Sequence, residues 1–388
     1  MVKKRIKSTT RVIEASMAVA LSAKLCEPAV IPMYPITPQT HIVERLADFI
    51  NDGDLNAEMI HVESEHAAIS ATIGVSAAGS RVFTATASQG LALMHEVLHV
   101  VSGMRLPVVM AVANRALSAP INIWNDHQDS VSARDTGWIQ LYVESAQEAL
   151  DSVIMAYKIA EDHKILLPVM VCLDGFTLTH VYEPVDIPAQ TKVRKFLPKF
   201  NSYYNLNPKK PITMGPVGFP DSFMEFKKQE QNAMEVAKKA IKKVNTDFKK
   251  SFGRSYGNGL IETYNLKGAK EVIVGMGTIC GTAKFVSDEL KKKGKKVGVI
   301  KIKSYRPFPA EDLKNIAKKV KRFIVIDRNI SLGHEGALAT DIKASLFGIK
   351  TKVDGFIAGL GGRDITGDDM KYMLKSKNVE SEWINVKQ

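Results

Sequence analysis

"LPVVMAVANRALS", residues 106–118, is apolar without interruption from Leu106 to Val112 and then presents Arg115. A strand that alternates apolar and polar residues has one face in water. A strand that is apolar throughout is buried on both faces, as in a parallel sheet covered by helices. Similar runs lie at 29–33, 58–62, 81–86 and 166–173, and helical patterns fall between them at 39–50, 65–78, 90–102 and 145–162. This βαβ rhythm predicts an α/β fold with a parallel sheet. Ligands of such sheets bind beyond the carboxyl ends of the strands. "YPITP" (34–38), "ESEH" (63–66), "SQG" (88–90) and "NRALS" (114–118) each follow a strand directly, so they are expected to converge on one sheet edge.

The chain after residue 182 changes character. The stretch from Glu183 to Pro220 holds seven prolines and little periodicity, and reads as an extended connector reaching to about residue 232. A lysine-bearing helix and the glycine-rich joint "SFGRSYGNG" follow. A second, smaller α/β unit begins near Lys270: "EVIVGMGTICGTAKFVSDEL" is strand, glycine turn and helix, "KKVGVIKIKSYRPFP" is a strand stopped at Arg306-Pro307, and "RFIVIDRN" is another strand. The expected division is 1–182, 183–258 and 259–388.

Composition narrows the function classes. Of 388 residues, 45% are hydrophobic and 24% charged, which suits a globular protein with sizeable cores and excludes disorder of the whole chain. The net charge of +12 raises nucleic acid as a partner. The lysines, however, form short separate runs (238–243, 291–296, 318–321). The first lies on a helix whose other face carries Ala237, Ile241, Val244 and Phe248. We therefore read solvated helix faces and expect no nucleic acid. No stretch reaches the ~18 uncharged apolar residues of a membrane span, so no membrane partner is expected. The three cysteines, Cys26, Cys172 and Cys280, have neither zinc nor iron–sulfur spacing and read as buried apolar groups. The start imitates a signal peptide, but Glu14 and Lys24 interrupt it. Ser8, Thr9 or Thr10 is expected to cap an amphipathic helix from near Val12, with Ile13, Met17, Ala20 and Leu21 on its apolar face. A cytoplasmic location is expected.

Several residues invite a chemical role. In "MYPITPQT" (33–40), Thr37 sits between two prolines where a strand hands over to a helix. Glu65 opens a helix rich in small residues, where a carboxylate also simply favours the N-terminus. Ser88 and Gln89 occupy the next strand-to-helix turn. Arg115, at the carboxyl end of a fully apolar strand, is poorly placed for packing and well placed to grip a carboxylate. "INIWNDHQDS" (121–130) gathers Asn122, Trp124, Asp126, His127 and Asp129 in one loop. His95 and His99 are four apart but lack a third ligand, so no metal site is predicted. "GMGTICG" (275–281) is spaced GxGxxxG and reads as a tight turn, with a nucleotide site as the alternative.

Together "YPITPQT", "VESEHAAIS", "TATASQGLALMHEVL", "SGMRLPVVMA", "NRALSAPINIWNDHQDS", "RDTGWIQLYVE", "SYRPFP", "DRNISLGHEGAL" and "FIAGLGGRDIT" resemble the alpha subunit of the 2-oxoacid:ferredoxin oxidoreductases, the pyruvate enzymes most closely. The resemblance implies a thiamine-diphosphate pyrimidine-type domain followed by a smaller transketolase-C-terminal-like domain. It implies CoA-dependent oxidative decarboxylation of pyruvate to acetyl-CoA and carbon dioxide, with electrons going to ferredoxin. Thiamine diphosphate would be shared with a beta subunit. Mg²⁺ and the [4Fe–4S] clusters would sit on partners among the beta, gamma and delta subunits. Glu65 resembles the glutamate that hydrogen-bonds the pyrimidine N1′, beside Ser88 and Gln89. Thr37 resembles a threonine that hydrogen-bonds the substrate, and Arg115 the arginine that binds its carboxylate. Tyr34, Asp126 and His127 are expected around the substrate pocket. The start "STTRVIEASMAVA" departs from the family in lacking a Gly-Asn before its helix. The alternatives are a branched-chain 2-oxoacid enzyme (2-oxoisovalerate) and a non-catalytic nucleotide-binding scaffold.

Overall fold

The computed structural model describes residues 9–387. The chain opens with strand β1 (Thr9–Glu14) and helix α1 (Ala15–Cys26). The βα alternation then runs β2 (Val30–Met33), α2 (Thr40–Asn51), β3 (Glu58–His61), α3 (Glu65–Ala77), β4 (Phe83–Thr86), α4 (Ser88–Leu93), α5 (His95–Gly103), β5 (Val109–Asn114), α6 (Gln128–Ser132), β6 (Ile139–Tyr142), α7 (Ala146–Ala160) and β7 (Val169–Asp174). The connector supplies β8 (Tyr182–Ile187), α8 (Gln190–Phe196) and the long α9 (Phe223–Phe252). The remainder is β9 (Ile261–Tyr264), β10 (Glu271–Gly275), α10 (Ile279–Lys292), β11 (Val297–Ile302), β12 (Ser304–Arg306), α11 (Ala310–Ala317), β13 (Arg322–Asp327), α12 (Ala337–Ser345), β14 (Lys352–Ile357), α13 (Gly367–Lys375) and β15 (Glu382–Trp383).

Two sheets form the frame. The first runs β12-β6-β7-β5-β4, with β4, β5, β7 and β6 mutually parallel. The parallel pair β2-β3 stands beside β4 through a single bridge, Val30 to Val82. The second sheet runs β15-β14-β13-β10-β11-β9, parallel except for β9. Strands β5 and β7 are buried at every residue, as continuous apolar runs require. The short β6 escaped sequence reading because the buried Gln140 breaks its apolar pattern. The Gln140 amide donates to the Ser130 carbonyl at 2.7 Å, which lets it sit in the interior.

Three expectations need correction. No helix begins near Val12: residues 9–14 form β1, paired antiparallel with β8, and α1 starts at Ala15 without a side-chain cap. Of the proposed caps, Thr9 and Thr10 lie in that strand, and Ser8 lies outside the described residues. Nor is the buried side of α1 the face expected from Ile13, Met17, Ala20 and Leu21: Ile13 lies in β1, and of the others only Ala20 is buried. Ala15, Ala18, Val19, Ala20, Ser22 and Ala23 are buried, while Met17, Leu21 and Lys24 make its partly exposed side. Small residues let α1 lie close against α7, and Ser22 Oγ donates to the Leu150 carbonyl at 2.6 Å. Third, the extended connector is shorter than expected. Helix α9 begins at Phe223, and its buried stripe of Glu230, Ala233, Ala237, Ile241, Val244 and Phe248 keeps helical spacing throughout. Its lysines pair locally, Lys238 with Glu235 and Lys243 with Asp247, while Lys242 reaches Asp312.

The stretch read as one strand ending at Arg306 is two. Strand β11 belongs to the second sheet. One residue later β12 crosses to the first sheet and pairs antiparallel with β6, Ser304 opposite Leu141. A buried ion cluster closes the same seam. Lys301 Nζ lies 2.9 Å and Lys303 Nζ 2.7 Å from the Glu148 carboxylate. Burial would raise the Glu148 carboxyl, but the two ammonium groups outweigh it and hold it at about 2. Lys301, facing Glu144, Glu148 and Glu262, is pushed up despite burial; Lys303, in contact with Glu148 but with Lys301 beside it, is pushed down by burial.

Candidate active site

The parallel strands bring the loops after β2, β3, β4, β5 and β7 to one edge. Glu65 is the first residue of α3, whose Ser64 cap accepts the Ala67 N–H at 3.1 Å. The Glu65 carboxylate is buried, yet it takes part in none of the hydrogen bonds or ion pairs among the described residues. The buried Thr86 hydroxyl at the end of β4 also lacks a partner among the described residues. Gly90 separates them: a β-carbon there would stand 2.4 Å from Thr86 Oγ1 and 2.7 Å from Glu65 Oε1. Helix α4 can approach only because residue 90 has no side chain.

A second cluster surrounds Arg115, which is 7% exposed. Its Nη1 donates to the Thr37 carbonyl at 2.9 Å and its Nε to the Asn122 carbonyl at 3.0 Å. It makes no ion pair among the described residues, and burial lowers its pKa. A buried guanidinium that is not in ion-pair contact with a carboxylate, with Asp129 nearby offsetting only part of the burial, is suited to an anion arriving beside it. Thr37 is exposed, and its hydroxyl has no partner among the described residues. Gln39 fixes the loop that carries it: the Gln39 amide donates to the Ala85 carbonyl at 2.9 Å and accepts the Ile36 N–H at 3.3 Å. Tyr34 stands half-buried on the same segment.

Asp129 ties the two clusters together. One carboxylate oxygen accepts the Ser88 and Arg115 backbone N–H groups, each at 3.0 Å, and the other the Asn114 amide at 2.7 Å. Burial pushes this carboxyl up to about 6 against those hydrogen bonds. Ser88 is thereby committed to the protein. Its N–H serves Asp129, and its hydroxyl lies 2.5 Å from both the Ala116 carbonyl and Gln89 Oε1. The Gln89 amide nitrogen is the group of this turn left without a partner among the described residues.

Asp126 and His127 lie deeper, facing the second sheet. Asp126 accepts the Gly361 N–H at 3.1 Å. His127 Nε2 is 2.7 Å from Asp174, which also receives Arg328 Nη1 at 2.8 Å and the Thr278 N–H at 2.9 Å. Burial would raise the Asp174 carboxyl, but Arg328 and His127 hold it well below the usual carboxylate range. Both residues expected around the substrate pocket are thus buried where the two halves of the chain meet. The "GMGTICG" turn meets the same carboxylate: the Thr278 N–H donates to Asp174. His95 and His99 stack edge to face at 5.2 Å, and no group of three metal-ligating side chains occurs among the described residues.

Sequence reading missed Gln39, Asp174 and Arg328 as site-building residues, and noted Asp129 only as one member of a polar loop. For Asp174 and Arg328 the signal was present. Each follows an apolar strand at its carboxyl end, the pattern that singled out Arg115.

The donor set fits an aminopyrimidine ring: a partnerless carboxylate, an orphaned hydroxyl beside it and a glycine that makes room for both. Residues 22–246 match the family described as pyruvate flavodoxin/ferredoxin oxidoreductase, thiamine diphosphate-binding, and residues 269–370 match pyruvate:ferredoxin oxidoreductase core domain II. Pyruvate synthase subunit PorA of Methanocaldococcus jannaschii is 57% identical over 384 residues, covering 97% of this chain and 98% of the relative. Ketoisovalerate oxidoreductase subunit VorA of Pyrococcus horikoshii is 44% identical over 389 residues, covering 97% and 98%. Among solved structures, 2-oxoglutarate:ferredoxin oxidoreductase from Magnetococcus marinus aligns at TM-score 0.73 and 20% identity, covering 95% of this chain and 65% of that one. A split-gene transketolase aligns at TM-score 0.55 and 14% identity, covering 93% and 95%. These two likenesses show the fold. The family matches and the full-length identity show the kinship: the chain belongs to the pyruvate:ferredoxin oxidoreductase family.

Proposed function

We propose that this chain is the alpha subunit of a hetero-oligomeric pyruvate:ferredoxin oxidoreductase, which reversibly converts pyruvate and coenzyme A to acetyl-CoA and carbon dioxide with electrons passed to ferredoxin. The observation that carries this reading is the 57% identity to a pyruvate synthase subunit across nearly the whole chain. The branched-chain reading has weaker support at 44%. A nucleotide-binding scaffold fits poorly with a glycine turn that already holds Asp174.

Thiamine diphosphate, when bound, supplies a nucleophilic carbon and takes up the electrons released as carbon dioxide leaves. Glu65 accepts a hydrogen bond from the protonated pyrimidine N1′ and so stabilises that charge. Gln89 offers its amide at the same face. The Thr37 hydroxyl donates to the 2-oxo oxygen, and the Arg115 guanidinium pairs with the carboxylate. That carboxylate loses its charge on leaving, so a full bidentate grip would favour the ground state. Arg115 already spends two N–H groups on the carbonyls of Thr37 and Asn122, which fix its direction and leave three N–H groups for the carboxylate.

In this reading residues 1–182 form the pyrimidine-type domain, 183–258 the connector with its basic helix, and 259–388 the transketolase-C-terminal-like domain. Mg²⁺ with the diphosphate belongs to the beta subunit and the [4Fe–4S] clusters to beta and delta. In support, Cys26, Cys172 and Cys280 are buried and far apart in sequence, with burial raising each thiol. No described helix is long and apolar enough to cross a membrane; we place the assembly in the cytoplasm.

The test is purification of the complex with its partner subunits, then pyruvate-dependent viologen reduction with coenzyme A for wild type and Glu65→Gln. A drop of roughly 100-fold or more in the intact mutant complex is expected. Full mutant activity would overturn the role of Glu65, and a preference for 2-oxoisovalerate over pyruvate would overturn the pyruvate reading.

A further inference from the structure

Arg115 is aimed by a loop that the other half of the chain holds. Its Nε donates to the carbonyl of Asn122. The Asn122 side chain donates to the Gly361 carbonyl at 3.1 Å, and its Oδ1 accepts the Trp124 N–H at 2.7 Å. The Gly361 N–H returns to Asp126 at 3.1 Å. Arg328 contributes at both ends: Nη2 donates to the Asn125 carbonyl at 3.3 Å, and its own carbonyl accepts the His127 N–H at 2.8 Å. The approach is tight. Gly361 sits at a φ of +58°, and a β-carbon on it would stand 2.4 Å from Asn122 Nδ2. The loop from Asn122 to His127 is therefore fastened to the second half of the chain at Asn122, Asn125, Asp126 and His127. At its near end it hands a carbonyl to the guanidinium.

We propose that the second half of the chain positions the substrate-binding arginine: Arg328 and Gly361 hold the Asn122–His127 loop, and Asn122 sets the direction of the Arg115 side chain. This rests on Arg115 binding the substrate carboxylate. The second domain is then part of the specificity apparatus for the 2-oxoacid, although Arg328 and Gly361 act only through Arg115. A guanidinium aimed by a carbonyl on Nε presents its remaining N–H groups in one direction, and planar recognition of a carboxylate depends on that direction. A bare seam would raise stability without affecting how an anion is bound.

The experiment uses the assembled enzyme and oxamate, an unreactive carboxylate of pyruvate's shape, with affinity read by calorimetry. Asn122→Ala keeps the carbonyl but frees the loop from Gly361, and Arg328→Lys keeps a cation at Asp174 while loosening the far end. Each is expected to weaken oxamate roughly five- to tenfold, as coupled neighbours do, with coenzyme A affinity unchanged. Arg115→Lys alone should weaken oxamate, and Arg115→Lys combined with Asn122→Ala should weaken it no further. Unchanged oxamate affinity in folded Asn122→Ala and Arg328→Lys enzymes, with Arg115→Lys weakened, would overturn the positioning role alone. So would additive losses in the double variant. No loss in Arg115→Lys would overturn the carboxylate reading itself and the present inference with it.

Discussion

Glu65 and Gly90 face each other so closely that a β-carbon on the glycine would stand 2.7 Å from the glutamate's Oε1. The same carbon would meet Thr86 Oγ1, held on a buried strand with little freedom to retreat. Gly90→Ala is therefore expected to displace the Glu65 carboxylate. The outcome is at least a roughly tenfold fall in turnover of the assembled enzyme, with a stability loss of about 1–3 kcal/mol from overpacking. Steady-state kinetics and thermal unfolding of the same preparation check both numbers.

Thr37 should behave in the opposite way. Its hydroxyl is exposed and makes no hydrogen bond among the described residues. Thr37→Val should leave unfolding within about 0.5 kcal/mol of wild type, as surface substitutions do. The lost hydrogen bond to the substrate should reduce kcat/KM for pyruvate by roughly ten- to a hundredfold. A variant with normal kinetics would remove Thr37 from the substrate's surroundings.

Gln39 is a case where packing and function fail together. Its buried amide joins the loop at Ile36 to β4 at Ala85. Gln39→Leu strands the Ala85 carbonyl and the Ile36 N–H, at about 1–3 kcal/mol. The freed loop should also raise KM for pyruvate. Chemical denaturation and kinetics at saturating coenzyme A are the readouts.

The Glu148 cluster sets an acid limit. Its folded carboxyl lies at about 2 against an ordinary 4.5. A depressed carboxylate contributes stability that is fully present above pH 4.5 and is lost as pH falls from there through 2. The difference of about 2.5 units corresponds to ~3 kcal/mol. Glu148→Gln should flatten that part of the stability–pH curve. At neutral pH it should also destabilise by roughly 3–5 kcal/mol, because Lys301 and Lys303 lose their common partner. Unfolding midpoints measured between pH 2 and 7 decide it.

The sheet edge was legible in the sequence because apolar strands announce themselves, and the loop after each one has a fixed address. Glu65, Thr37 and Arg115 were proposed from that address together with the family resemblance, and the fold places all three at that edge. What stayed hidden depends on contacts distant in the chain. Asp129 reads as one acid in a polar loop, and only the fold shows two backbone N–H groups converging on it from Ser88 and Arg115. Asp126 and His127 read as polar loop residues, and only the fold shows their contacts with Gly361 and Asp174. The start of the chain misled for a local reason. Met17 and Leu21 suggested an apolar face, but close packing against α7 selects the small alanines and serines.

Strand β12 has a consequence for biogenesis. Residues 304–306 seal the border of a sheet whose other strands are complete by residue 174. During synthesis, β6 leaves the ribosome about 160 residues before its cover does, and at typical elongation rates it waits on the order of ten to thirty seconds. An open strand border of that kind invites pairing with another chain, so the nascent polypeptide is a natural chaperone client over that interval. Splitting the gene at the connector would make the exposure permanent: the first fragment would keep an uncovered β6 until the second was supplied in trans.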